Sequence, residues 1–296
     1  MMKPCAALLM IATALAASVP SVCAQPRGHW SAFKKADGLA ENACVSVTIG
    51  ARGNVLVRHL KSNAVSALDG YEVTSIPAPG PNRHRVYESP GGQLWTVAAE
   101  GLQEFRDGEW VLHRVPEIAD RFRAGSTEPI PLCPVRQGRV LLLLPDRLLE
   151  FDADEPDNPQ TVLLQRADQT SLGLFRTMSP ARDDGLWISG ARGVAKVSGP
   201  LRNVKPGSAW VEFVPPADLQ LQNFQSAQEE DNGGLTALAE SATPQRAALA
   251  RFDGQQWTAR VLNVEKVRFA WRGPGRTWMA TSDSLFELSD NQPDAT

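Results

Sequence analysis

The sequence predicts an all-β protein built from about six similar units of four short strands, and three observations support this class. A short pattern of glycine, aliphatic, tryptophan and Asp-Gly residues returns along the chain. Its copies are 39 to 49 residues apart. The 22 prolines and 23 glycines are spread along the chain as regular punctuation. Many short strands joined by turns give this spacing, whereas helical periodicity is nearly absent.

The clearest copy of the pattern lies between residues 92 and 110. It reads Gly92-Gln93-Leu94-Trp95, then Gly101-Leu102-Gln103-Glu104-Phe105-Arg106-Asp107-Gly108-Glu109-Trp110. We expect three strands here, the last two joined by a type I′ turn, whose two central residues both need positive φ. The anchor of each copy is expected in the second strand of its unit. The anchors are Leu56, Trp95, Leu141, Trp187, Thr236 and Trp278.

Six units of this length predict a single β-propeller over residues 25–290, because sheets stacked around an axis bury one another. A disordered tail is expected over residues 291–296. The last unit lacks an outer strand, and His29-Trp30-Ser31-Ala32-Phe33 resembles the expected outer strands at residues 109–113 and 256–261. This N-terminal segment is therefore expected to complete the last blade. Residues 218–230 could be read as a helix, but we interpret them as a loop that leads into an inner strand.

The first 24 residues have the features of a secretory signal. Lys3 precedes an apolar run over residues 6–17, and the small residues Val22 and Ala24 predict cleavage after Ala24. The run is shorter than the ~20 residues that span a bilayer. We therefore expect a periplasmic or secreted protein without a membrane span, while lipidation of Cys23 stays an open alternative. Cys44 and Cys133 are expected to be free, buried thiols.

Charge and motifs exclude several classes of function. A net charge of −3 without a basic cluster argues against a nucleic-acid partner. His29, His59, His84 and His113 are isolated in sequence, so no metal site is predicted, and His29 and His113 are expected to face solvent. Neither a nucleophile motif nor a cofactor motif is present, so no catalytic residue and no cofactor are predicted. Glu229 and Glu230 are expected in an exposed turn.

The pattern resembles a known family, the two-component regulator propeller repeat. The resemblance rests on Asp37-Gly38-Leu39-Ala40-Glu41-Asn42, on Cys44-Val45-Ser46-Val47, and on the Gly-x-Leu-Trp and Gly-Leu-x-x-Phe-x-Asp-Gly-x-x-Trp segments. It implies a periplasmic sensing domain, and many members of the family respond to saccharides. Family propellers usually have seven blades followed by output domains, so a seventh blade stays open here and a signalling role would need a separate membrane sensor as partner. The repeat residues build blades, so no binding residue is carried over from the family.

Candidate binding residues lie where inner strands begin, at the mouth of a propeller channel. Arg85, Arg176 and Arg268 stand 10 or 11 residues before Trp95, Trp187 and Trp278. Guanidinium groups pair with carboxylate and phosphate, so these arginines predict a site for a small anion or a saccharide, with ordinary salt bridges as the alternative. Three nearby side chains are added to the site. They are His84, Tyr87 and Trp271.

The sequence favours an exported, non-enzymatic propeller that binds a ligand or a protein partner and serves as an accessory sensor. One alternative is a propeller-type lyase or hydrolase, which predicts a titratable group such as His84 in a pocket beside Arg85, with a perturbed pKa. The other alternative is a rigid interaction scaffold, which predicts a plugged channel and an exposed apolar patch.

Overall fold

The computed structural model describes residues 32–80, 84–154, 161–230, 233–242, 246–264, 267–273, 276–282 and 284–289. Within these ranges the strands form six antiparallel sheets, five of four strands and one of three, which we name A to F in chain order. Each sheet is a simple meander, because neighbouring strands in a sheet are consecutive in sequence. The prediction of an all-β chain made of short, consecutive four-stranded units is confirmed.

Strand bounds follow the repeat. Sheet A holds β1 (Cys44–Ile49), β2 (Val55–His59), β3 (Ala64–Leu68) and β4 (Val73–Pro77). Sheet B holds β5 (Val86–Glu88), β6 (Leu94–Ala98), β7 (Gly101–Arg106) and β8 (Glu109–Arg114). After the helix α1 (Pro116–Arg123), sheet C holds β9 (Leu132–Arg136), β10 (Arg139–Leu144), β11 (Arg147–Asp152) and β12 (Thr161–Arg166).

The second half of the chain continues in the same way. Sheet D holds β13 (Phe175–Pro180), β14 (Leu186–Gly190), β15 (Val194–Val197) and β16 (Trp210–Phe213). Sheet E holds β17 (Leu221–Glu229), β18 (Leu235–Ser241), β19 (Arg246–Phe252) and β20 (Trp257–Val261). Sheet F holds β21 (Phe269–Gly273), β22 (Arg276–Ala280) and β23 (Leu285–Ser289). A one-turn helix over Ala217–Leu219 precedes β17, so the interpretation of this region as a loop and an inner strand is confirmed.

The core is divided into layers between successive sheets. Separate clusters of buried apolar side chains lie between A and B, B and C, C and D, D and E, and E and F. This order of packing is consistent with a β-propeller. Residues 29–31, the predicted signal peptide at 1–24 and the predicted tail at 291–296 lie outside the described residues. The closing strand and the blade count therefore stay predictions.

The repeat anchors occupy one structural position. All six lie in the second strand of their sheet, in β2, β6, β10, β14, β18 and β22. Trp95 packs in the cluster that sheet B shares with sheet C, and Trp187 in the cluster that sheet D shares with sheet E. Since side chains alternate between the faces of a strand, this position turns the tryptophans of sheets B and D toward the next sheet.

The Asp-Gly turns fall into two classes. Asp107 and Gly108 have φ values of 52° and 89°, as a two-residue type I′ turn requires. At the other Asp-Gly pairs of the repeat the loop between strands is longer, and the aspartate acts through its side chain. Asp253 accepts hydrogen bonds from the N–H groups of Gln255 and Gln256, both at 2.8 Å. The same dipeptide thus forms different turns because the strands end at different distances from it.

Helix α1 is an element that the sequence reasoning missed. Pro116 occupies its first turn with Glu117, Arg121 and Arg123 lie in its last turn, and Ile118 is fully buried. Helices commonly begin with proline and an acidic residue and end with basic residues. These signals are present here, so the sequence could have predicted this helix. No helix in the described part of the chain has the length and apolar character that crossing a bilayer requires.

Three expectations about single residues are wrong. His113 does not face solvent: its ring packs against Trp95 and Phe151, with centroids 5.6 and 5.4 Å away, because the outer strand β8 covers the neighbouring layer. Glu230 does not lie in an exposed turn: it is buried and forms an ion pair with Arg251. The third residue is Glu229, which does not lie in a turn: it ends strand β17 and pairs with Lys196 at 2.6 Å.

Cys44 and Cys133 are free, as predicted, but Cys44 is exposed and so corrects the expectation of two buried thiols. Burial raises the pKa of the Cys133 thiol to about 12. We therefore expect one fast-reacting thiol when the protein without residues 1–24 is titrated with Ellman's reagent near neutral pH, and a second only after denaturation. In a Cys44→Ser variant the fast phase should vanish; a fast phase that survives contradicts this prediction.

Candidate functional site

Three of the predicted binding residues line one cavity of about 580 Å³, called cavity 1. His84 and Arg85 directly precede β5, and Tyr87 lies within it. The Thr96 hydroxyl donates to the carbonyl of Arg85 at 2.8 Å, which fixes the backbone at the start of this inner strand. Val45 and Ser46, at the start of β1, also line the cavity. Cavity 1 therefore opens where two inner strands begin.

The segment that follows β8 forms another wall of cavity 1. Phe122 at the end of α1 and residues 125–127, 129 and 130 line it. Gly125 has a φ of +78°, a conformation that glycine accepts readily and that turns the chain after the helix. Arg121 and Glu128 then form an ion pair at 2.9 Å that joins the helix to the loop. An insertion between two sheets thus supplies an aromatic ring and two hydroxyls to cavity 1, from Phe122, Ser126 and Thr127.

His84 is held in its neutral form. Its ring is half-buried and meets Phe122 edge-on, with centroids 5.4 Å apart. Burial, and next the positive charge of Arg58, lower the pKa of His84. Arg58 is itself only 3% exposed and donates from a guanidinium nitrogen to the Gly80 carbonyl at 2.8 Å. The imidazole therefore presents an uncharged base to cavity 1 at neutral pH.

Tyr87 provides a protonated phenol. Burial raises its pKa above the usual value, so the hydroxyl keeps its proton at physiological pH. The residue pairs in register with Trp95 across β5 and β6, and it packs against the layer between sheets B and C. A phenol fixed in this way can take part in hydrogen bonds with a ligand while its ring contacts apolar groups.

Arg176 lines a second cavity of about 300 Å³, called cavity 2, which shares Pro129 with cavity 1. Its lining is more polar. Asn223 donates to Glu240 at 2.6 Å, and Asn223 lies in β17 with a φ of +54°. Glu128, which is paired with Arg121, completes a lining with two carboxylates.

The six predicted binding residues therefore do not form a single site. His84, Arg85 and Tyr87 meet in cavity 1, and Arg176 lies in cavity 2. Arg268 is exposed and lines neither cavity; its backbone N–H donates to the carbonyl of Ala280 at 2.7 Å. Trp271 belongs to β21, and its side chain lies outside the described residues. The assignment of these residues to a binding site stays a prediction.

Comparisons with known proteins show which solved structures share the fold of this chain. No protein-family model and no curated protein matches the chain. Among solved structures, the chain is similar to virginiamycin B lyase from Staphylococcus aureus, with 12% identity over 84% of this chain and 82% of that one and a TM-score of 0.57. At this identity the likeness shows the fold alone.

Two signalling proteins of B. thetaiotaomicron have the same architecture. The extracellular domain assigned to a one-component system matches 89% of this chain and 38% of its own, with 11% identity and a TM-score of 0.56. The extracellular domain assigned to a hybrid two-component system matches 86% of this chain and 34% of its own, with 12% identity and a TM-score of 0.53. The neighbours are propeller proteins, and they include two-component sensor domains.

The described residues contain no group of three or more His, Cys, Asp or Glu side chains placed to hold a metal ion. Cavity 1 is instead built from one guanidinium, one imidazole, one phenol, hydroxyls and apolar groups. Such a set can bind an anion or a polar ring, and it can transfer a proton through His84.

The lowered pKa of His84 predicts a pH dependence of stability. The unfolded chain binds a proton on this residue near its usual pKa of 6.5, whereas the folded protein resists protonation. Stability should therefore fall as pH drops below that value, and a His84→Asn variant should lack this contribution. Melting temperatures of both proteins between pH 8 and pH 5 test this prediction. The Tm of the wild type should fall further on acidification than that of the variant, and parallel plots of Tm against pH would contradict the lowered pKa of His84.

Proposed function

We propose that the protein is an exported, non-enzymatic propeller that binds a small ligand in cavity 1 and acts as an accessory sensor for a separate membrane protein. The observation that carries the proposal is the meeting of His84, Arg85 and Tyr87 in one cavity of about 580 Å³. Cavities of roughly 300–1,000 Å³ with a few convergent polar groups are the usual sites for small molecules.

Architecture supports the sensing part of the proposal. The chain has the fold of extracellular domains that belong to one- and two-component systems. Export agrees with the signal predicted over residues 1–24. The ligand classes to test first are saccharides and small anions, because Arg85 can pair with an anionic group and Tyr87 and Phe122 offer aromatic faces.

Thermal-shift measurements on the protein without residues 1–24 test the proposal. The screen should contain neutral sugars, uronic acids, and organic and inorganic anions. A ligand at about 100 times its Kd stabilises the native state by ~2.7 kcal/mol, a shift of roughly 5–10 °C for a domain of this size. We expect Arg85→Ala to remove most of the shift given by the active compound.

Arg268→Ala is the matched control, because Arg268 is an exposed arginine that lines neither cavity. It should keep the full shift. Equal shifts in the wild type and the Arg85→Ala variant, or a loss confined to the Arg268→Ala variant, would refute cavity 1 as the binding site.

A second function, an elimination reaction, is favoured by one observation: His84 lies in a cavity beside Arg85 with a lowered pKa, as the lyase alternative predicts. In such a reaction the imidazole removes a proton beside a carboxylate or carbonyl group. The C–H electrons form a carbon–carbon double bond, and the leaving group departs with its electron pair and takes up a proton. Arg85 would stabilise the negative charge that develops on the substrate oxygen.

The two functions differ in a direct measurement. If the compound found by thermal shift is incubated with the protein, a lyase produces a conjugated double bond that absorbs in the ultraviolet, and His84→Gln abolishes its formation. A sensor returns the compound unchanged, as mass spectrometry would show.

A further inference from the structure

The charges around cavity 1 have one sign. Arg85 lines it, and the positive charge of Arg58 acts on His84, whose ring is neutral at neutral pH. No aspartate or glutamate occurs among the described residues that line the cavity. A cavity that is partly closed to water strengthens this field, because the charges are less screened than at the surface.

The remaining wall is mostly apolar. Val97 and Ile130 are almost fully buried, and Phe122 and Pro129 complete that side. Hydroxyl partners are few. They are those of Ser46, Tyr87, Ser126 and Thr127. A ligand that carries hydroxyls on every face would place several of these hydroxyls against the apolar wall without a hydrogen-bond partner. Each unpaired hydroxyl would weaken the binding free energy.

Cavity 2 provides an internal comparison. Its lining includes the carboxylates of Glu128 and Glu240 together with the guanidinium groups of Arg121 and Arg176. An anion there would meet like charges, which cavity 1 lacks. The difference between the two cavities lies in charge sign as well as in size.

We propose that cavity 1 selects a small organic acid, whose carboxylate lies beside Arg85 and His84 and whose apolar or aromatic body contacts Val97, Phe122 and Ile130. This inference rests on the proposed function, since it names the class of ligand for the same cavity. It favours aryl and alkyl carboxylates over neutral saccharides.

Proton uptake follows from the same geometry. Arg58 from β2 is the charged group that acts on the His84 ring, and Phe122 from α1 contacts the ring and carries no charge. Arg85 and the protonated Tyr87 line the same cavity. A carboxylate placed among them favours the protonated imidazole, and so opposes the burial and the charge of Arg58 that lower its pKa. Binding should therefore draw a proton onto His84 and become tighter as pH falls from 8 to 6.

Calorimetric titration with acid and amide pairs tests the proposal. The probes are benzoate and benzamide, 4-hydroxyphenylacetate and its amide, and octanoate and octanamide, each pair alike in shape and different in charge. At least one acid should bind, with its amide at least about tenfold weaker, as expected for loss of a charged hydrogen bond. Titrations in buffers of different ionisation enthalpy should show proton uptake with the acid.

Three variants locate the effect. Arg85→Gln should weaken the acid at least about tenfold. His84→Gln should keep binding but remove the pH dependence and the proton uptake. Arg176→Gln, in cavity 2, should change neither. Circular dichroism and melting curves establish that each variant is folded.

The outcomes separate this inference from the proposed function. If no acid binds, or if acids and amides bind alike, the ligand class is wrong. If only Arg176→Gln weakens the acid, the acid does not bind in cavity 1, and the inference fails at its site. The proposed function still stands if a neutral sugar gives a thermal shift that Arg85→Ala removes. If no compound gives a shift that depends on Arg85, the proposed function fails as well.

Discussion

A Trp95→Ala variant is expected to lose about 3–5 kcal/mol of unfolding free energy, and its Tm to fall by roughly 6–20 °C. Trp95 is fully buried between sheets B and C. Its indole N–H donates to the side-chain oxygen of Gln93 at 3.0 Å, and the same oxygen accepts the N–H of Gly138, in the turn between β9 and β10 of sheet C, at 3.0 Å. Truncation therefore opens a cavity and also releases the side chain that joins the two sheets.

Tyr71→Ala is the control for this variant, because Tyr71 is fully exposed and its removal should change stability by no more than about 0.5 kcal/mol. Denaturant titrations of both variants give the comparison. A loss below 1 kcal/mol at Trp95 would mean that the layer between sheets B and C contributes little to stability.

A Gly101→Ala variant is expected to lose roughly 3 kcal/mol or more of unfolding free energy. The new methyl group would clash with backbone atoms, which cannot move aside as a flexible side chain can. A Cβ at this position would lie 2.1 Å from the carbonyl oxygen of His113 and 2.6 Å from the amide nitrogen of Val115. The start of β7 and the end of β8 can approach so closely only when glycine stands there.

Gly108→Ala separates this clash from backbone strain. Gly108 also has a positive φ, at +89°, but no atom lies within 4 Å of a Cβ built on it. The Gly108→Ala variant should therefore lose only about 1–2 kcal/mol of unfolding free energy, which is the cost of placing alanine in the left-handed conformation. If the two variants unfold at the same denaturant concentration, close packing is not the reason for the glycine of the repeat.

This glycine also shows how much of the fold could be predicted. The repeat placed all six anchors in second strands because a pattern of period two and its turns are local properties of the sequence. The close approach at Gly101 recurs at Gly193, where a Cβ would lie 2.6 Å from the carbonyl oxygen of Phe213. The recurring glycine was visible in the sequence, but its cause depends on how near the fourth strand comes to the third.

The candidate site was predicted in part for the same reason. His84, Arg85 and Tyr87 are neighbours in sequence at the start of one strand, so they meet in cavity 1 without help from distant segments. The grouping of Arg85, Arg176 and Arg268 depended on the relation between separate sheets, which local patterns do not determine. Phe122 and the loop after α1 were missed because an insertion interrupts the repeat.

The exposed thiol of Cys44 stands one residue before Val45, which lines cavity 1. A dye whose emission changes with its surroundings, attached there, would lie one residue away from the lining of the proposed binding site without displacing a buried group. Because burial protects Cys133 from the same reagent, labelling needs no other cysteine of residues 25–296 to be replaced. The chain thus already contains an attachment point for an optical reporter of binding in cavity 1.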